Sequence, residues 1–285
     1  MSLSSGRDQA DGLRRILAGQ AARHLTFLAA VPAAQKNAVL LNLAAALVRA
    51  GNSVQLLDLS LSAQGISSCA RPALACSLCD MALQGLAPEH AIREHAQGIR
   101  LARLSTQALR QLLEQGTDLS GLSRLLGEVS PDANFWLQDA DIDEDSPFVL
   151  PELSAGEVIV LVSNTPTSIK NAYAQMKEFH RQFGRQPFHL LVLGVSTAQA
   201  QMIEKNMALA VNRYLSSKLI ALGSIPADEH LSRSMQLGRS IVDAFPMAQA
   251  AVAFRELAAR LINARAGAPA PHKRPERTLS TALEV

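Results

Sequence analysis

The 285-residue sequence is poor in aromatics, at 4%, so its core must be built mainly from Ala, Leu, Val and Ile within a 48% apolar composition. It has no excess of either charge. A formal net charge of +2 argues against a dedicated nucleic-acid binder, although it leaves room for a local basic patch. No apolar run reaches the roughly 18 residues of a membrane span. The start, "MSLSSGRDQADGLRRIL", carries acids early and has no apolar signal core, so a cytoplasmic protein is expected. Cysteines are scarce as well: Cys69, Cys76 and Cys79 are an odd number in one segment, which suits free thiols rather than a disulfide framework. The Cys76-x-x-Cys79 spacing invites a metal or redox reading. A zinc site takes about four ligands, however, and there is no second pair. The seven histidines are scattered, and no Ser-His-Asp or paired-carboxylate arrangement follows from spacing.

What the sequence does have is alternation. Residues 8–19 read as a short helix capped by Asp8, with Ala10, Leu13 and Leu17 on one face. Strands are expected at 24–30, 53–59, 98–105, 134–140, 157–164, 187–196 and 218–225, with helices at 36–51, 76–85, 106–115, 119–129, 167–183, 197–215, 228–236 and 247–264. That order implies an α/β fold: one doubly wound, mostly parallel sheet of about seven strands flanked by helices. The tail from 266 to 285 is Pro-rich with a basic cluster, and disorder is expected there. The acids "DIDED" (141–145) read as a solvated loop.

The first strand runs into "AAVPAAQKN", Ala29 to Asn37, where a nucleotide-binding sheet keeps its phosphate loop. A working loop reads G-x-x-x-x-G-K-[ST]: glycines wrap amides around phosphate, lysine neutralises it, and the hydroxyl holds magnesium. Here Lys36 remains, Gln35 replaces the glycine before it, and Asn37 stands at the hydroxyl position. Pro32 removes an N–H, while Ala33 and Ala34 tolerate positive φ poorly. Tight triphosphate binding is therefore not expected, and neither is hydrolysis. Lys36 itself reads either as an exposed lysine in the first helical turn or as a phosphate ligand.

With these elements in this order, the chain resembles the MinD/ParA family of deviant Walker ATPases over about residues 8–264, within it the flagellar-number regulators FlhG and FleN. "DQADGLR", Asp8 to Arg14, resembles the family's DQAxxLR segment. By that resemblance the segment is a helix that docks on the signal-recognition-type GTPase FlhF and stimulates its GTP hydrolysis. Gln9 would approach the partner's nucleotide, and Asp8, Ala10, Leu13 and Arg14 would complete the docking face. The alternative is an ordinary capped helix packed on its own domain. The resemblance also puts Asp58 at the first acid and Asp139 at the magnesium-side acid, making Lys36, Asn37, Asp58 and Asp139 a vestigial nucleotide site. It puts Ser60 at a second acid and Val31 at the signature lysine. Gly194 and Val195 fall at the adenine reader, and "SNTPTSIKNAYAQMK" (163–177) matches the segment that often reads E-P-T-S and D-A-Y. Asp228 stands in the late loop.

These readings divide the chain into a GTPase-activating segment (1–20), a MinD-like domain (21–265) and a tail (266–285). They imply a pseudo-ATPase scaffold with no cofactor and no metal, an FlhF-type GTPase as partner, further contacts to flagellar basal-body or regulatory proteins, and room for a homodimer. One alternative is a weakly active ATPase using ATP and magnesium, with ATP-dependent dimerisation and membrane association. Another is a structural partner in a different assembly. The helix from 247 is expected to pack on the domain rather than anchor to a membrane, because alanine fills most of its remaining face. At most it makes weak peripheral contact at the inner membrane or cell pole.

Overall fold

The computed structural model describes residues 22–70, 73–84, 88–95, 98–105, 108–109, 111, 120–129, 131–142 and 156–266. Its strands are β1 (Arg23–Ala29), β2 (Val54–Leu59), β3 (Ile92–His95), β4 (Ile99–Arg103), β5 (Phe135–Ala140), β6 (Glu157–Ser163), β7 (Phe188–Leu193) and β8 (Leu219–Ile225). They form one eight-stranded sheet in the order β3-β4-β2-β5-β1-β6-β7-β8. All neighbours pair in parallel except β3 with β4. Parallel strands are covered on both faces, which is why "FWLQDA" and "VQLLDL" are buried at every position. β3 is the strand beyond the expected seven. Its four residues, "IREH", carry no apolar run, since it lies at an edge with its middle exposed.

The helices are α1 (Ala33–Arg49), α2 (Leu78–Gln84), α3 (Ser120–Val129), α4 (Pro166–Phe183), α5 (Thr197–Leu215), α6 (Glu229–Gln236), α7 (Ile241–Ala244) and α8 (Gln249–Ala266). Side chains alternate across each strand and so feed two cores. Leu25, Phe27, Leu56 and Leu137 meet α1, α7 and α8. Leu28, Leu57, Trp136 and Val160 meet α2 to α5 on the opposite face. α8 packs against α1, with Phe254, Leu257 and Leu261 at 0–1% exposure. Fully burying side chains of this kind is worth about 1.5–3 kcal/mol each, so its apolar face is committed to the protein.

At the N-terminal ends of the strands, Arg23 grips Glu157 through two bonds of 2.5 and 2.6 Å. It also donates to the Leu261 carbonyl, tying β1, β6 and α8 together. Residues 1–21, and with them Asp8, Gln9, Ala10, Leu13 and Arg14, lie outside the described residues, as do 267–285. The chain enters the described structure beside this corner, at the opposite pole from the turn after β1.

Candidate functional site

In an open parallel sheet, sites form beyond the carboxyl ends of the strands where the order reverses. The turn after β1 sits at that reversal. It is shorter than the sequence suggests, because α1 begins at Ala33 rather than near Lys36. Pro32 caps it at φ −55° with no side-chain cap bond. The Gln35 and Lys36 amides both donate to the Pro32 carbonyl, at 2.9 and 3.1 Å. Amides that would face a phosphate are thus spent inside the helix, leaving those of Ala33 and Ala34 as the ones its start does not satisfy. Positive φ does not occur in the turn: among the described residues, the non-glycine positions that adopt it are Ser105 and Ser216.

Lys36 is neither an exposed lysine nor a free cation. It is 4% exposed, with Nζ 2.5 Å from Asp139 Oδ1 and 3.4 Å from Asp141 Oδ1. Burial alone would lower its pKa, but the Asp139 and Asp141 charges outweigh burial and raise it. Asp139 is fully buried, and its carboxyl is pushed up to about 6. Burial is the main cause and the Asp58 charge adds to it, while Lys36 and the Ile66 amide pull it back part of the way. Asp58 stands directly beside Asp139, since parallel pairing of β2 with β5 puts the two in register.

Every one of these acids is occupied by the loop after β2. Asp58 accepts from the Ser60 and Ser67 amides, both at 2.9 Å. Asp139 Oδ2 accepts from the Ile66 amide at 2.7 Å. Asp141 Oδ2 accepts from the Leu61 amide at 3.0 Å and the Ser60 hydroxyl at 2.9 Å. Asn37 Nδ2 donates to the Gln64 carbonyl at 3.0 Å. Gly65 allows the closure, because a Cβ there would lie 2.4 Å from Asp58 Oδ1. Asp141 is therefore not part of a solvated loop. It is the partner that sequence reading missed, and its place two residues after Asp139 at a strand end was the available signal. Ser60, standing where a second acid was expected, serves as its donor.

The other side of the turn is open. A cleft of about 650 Å³ lies between Ala29–Pro32 and the start of α4, lined by Gln35, Ser163, Thr165, Thr167, Asn171 and Gln175 among others. None of its lining residues is charged. At the remaining positions singled out by resemblance, Gly194 donates its N–H to the Ile225 carbonyl and Val195 is buried. Asp228 caps α6 and accepts from the Ala250 amide at 3.0 Å, which is a structural role. Cys69, Cys76 and Cys79 are free thiols, and burial pushes Cys79 up to about 12.

The residues present do not fit a magnesium-bound triphosphate. Accepting one would require breaking a buried ion pair, freeing carboxylate oxygens from a loop they hold, and finding donors in a helix start that has already spent two of them.

No family model matches the chain. A curated protein, the antiactivator FleN of Pseudomonas aeruginosa, is 26% identical over 243 residues, covering 79% of this chain and 81% of that protein. Among solved structures, the MinC:MinD cell division complex of Aquifex aeolicus matches 89% of this chain and 99% of its own, with 17% identity and a TM-score of 0.62. The ParA family ATPase of Chlorobium tepidum matches 84% and 99%, with 16% identity and a TM-score of 0.62. The septum site-determining protein MinD of Pyrococcus horikoshii, solved with Mg-ADP, matches 87% and 100%, with 15% identity and a TM-score of 0.59.

Proposed function

We propose that this chain, which has the MinD/ParA fold and is similar along most of its length to the antiactivator FleN, is a regulator of flagellar number that works without a nucleotide of its own. One observation carries the reading: the only lysine of the phosphate-loop stretch is buried between Asp139 and Asp141, and the acids around it hold the loop at 60–67. A nucleotide-driven protein needs that loop to respond to the ligand. Here the loop is held by the protein itself.

On this reading the domain is a fixed platform, and activity resides in the segment ahead of β1. That segment docks on an FlhF-type GTPase, anchored by Leu13 and Arg14, with Asp8 and Ala10 on the docking face. Gln9 reaches the partner's nucleotide and orients water or stabilises the charge of phosphoryl transfer in trans. The clamp of Arg23 on Glu157 and Leu261 supports this, because it fixes the point from which the segment departs.

The test is GTP turnover by the cognate GTPase. The full chain and a peptide of residues 1–20 should both stimulate it. The full chain carrying Gln9→Ala, or lacking the first twenty residues, should not. Turnover left unchanged by the intact protein would refute the proposal.

A further inference from the structure

α5 lies three strands away from β1, over β7 and β8, and one of its faces is buried through Ala200, Ile203, Met207, Val211 and Leu215. The opposite face of such a helix is ordinarily polar. On α5 it is not: Met202 is 67% exposed, Leu209 63% and Tyr214 66%. Among the described residues, no other element exposes more than one large apolar side chain. Met202 and Leu209 are seven residues apart, close to two full turns, so they share one line along the helix. Beside that line runs a groove of about 270 Å³ between α5 and the edge strand β8, lined by Glu204, Lys205, Ala208, Leu219 and Ala221 among others. Glu204 is half-buried there, and its Oε1 has no hydrogen-bond partner.

We propose that this face binds a second copy of the chain, α5 against α5, antiparallel about a two-fold axis. The spacing selects that partner. A two-fold contact requires residue i to meet j while j meets i. An axis midway between Met202 and Leu209 passes between Lys205 and Asn206. Met202 of each copy then packs on Leu209 of the other, twice. The same operation keeps the groove side of one helix next to the groove side of its mate. Lys205 therefore falls beside Glu204 of the other copy, again twice, and the four charges sum to zero. Arg213 falls opposite Ala198, so no like charge meets it. One helix face per copy is less than the roughly 1,200–2,000 Å² total of stable complexes. The dimer is thus weak, reversible and dependent on concentration. It is separate from the GTPase reading and leaves the turn after β1 uncovered.

The test is sedimentation of the full chain from micromolar to millimolar concentration, with no GTPase present. A monomer–dimer equilibrium is expected. Leu209→Glu should raise its Kd at least about tenfold, since the lost contact occurs twice. Leu209 is exposed, so the variant should fold, and an unchanged thermal midpoint verifies this. Lys205→Glu should weaken association too, by setting like charges together at the axis. Asn206→Cys should form an inter-chain disulfide in the full-length protein, whereas Arg255→Cys on the far face should not. A monomer at every concentration, a Kd indifferent to Leu209→Glu, or no cross-link at position 206 would each overturn the proposal.

Discussion

The two sides of the turn after β1 are built from the same three-residue connection and end up opposite in character. On the β2–β5 side, Lys36, Asp58 and Asp139 are 0–4% exposed and pinned to one another or to the 60–67 loop. On the β6 side, the cleft of about 650 Å³ is open and its lining carries no charge. A triphosphate needs charge and room in the same place. This chain has each in a different place. The difference shows how a phosphate site turns into structure: the charges remain, but they satisfy each other, and the loop they once left free becomes part of the core.

If the closed side is a structural staple, breaking it should cost far more than altering the open side. The largest effect is expected from Lys36→Met, which strands Asp139 as a buried, unpaired carboxylate. Urea unfolding should show a loss of about 3–5 kcal/mol, most of it recovered when Asp139→Asn is added. A loss below about 1 kcal/mol would mean that the pair holds nothing. The next effect is linked to pH. The Asp139 pKa is raised from 3.8 to about 6, so the protonated acid is the form that folding favours. Its stabilising contribution is complete below the unfolded value and is lost as pH rises through about 6. Wild type should therefore gain up to about 3 kcal/mol over Asp139→Asn as pH falls through that window, read from urea midpoints. Gly65→Ala pushes a methyl group into the Asp58 carboxylate and should cost about 1–3 kcal/mol. On the open side, Thr165→Ala removes the α4 cap, whose Oγ1 accepts from Ser168 N at 3.2 Å, and should cost only about 1 kcal/mol. Were Thr165→Ala to match Lys36→Met, the contrast between the two sides would fail.

Much of the fold was legible because buried parallel strands announce themselves: "EVIVLVS" and "FHLLVL" have no other good reading. β3 was not legible, since a short edge strand needs no apolar run. α8 was legible as a packing helix from its apolar spacing alone. At the site, the missing glycines and Pro32 pointed correctly to a stiff turn. The fate of Lys36 was not readable, because its partners lie more than a hundred residues away and pair with it only once β5 is in register with β2. Asp141 was missed for the same reason. In sequence it belongs to an acidic run, and only the fold separates it from that run.

The most direct test of the account is isothermal titration of the full-length protein with ATP and magnesium. A side already closed on its own lysine predicts no binding heat up to millimolar nucleotide. Saturable binding in the micromolar range would show that the buried pair opens for phosphate, and would contradict the account.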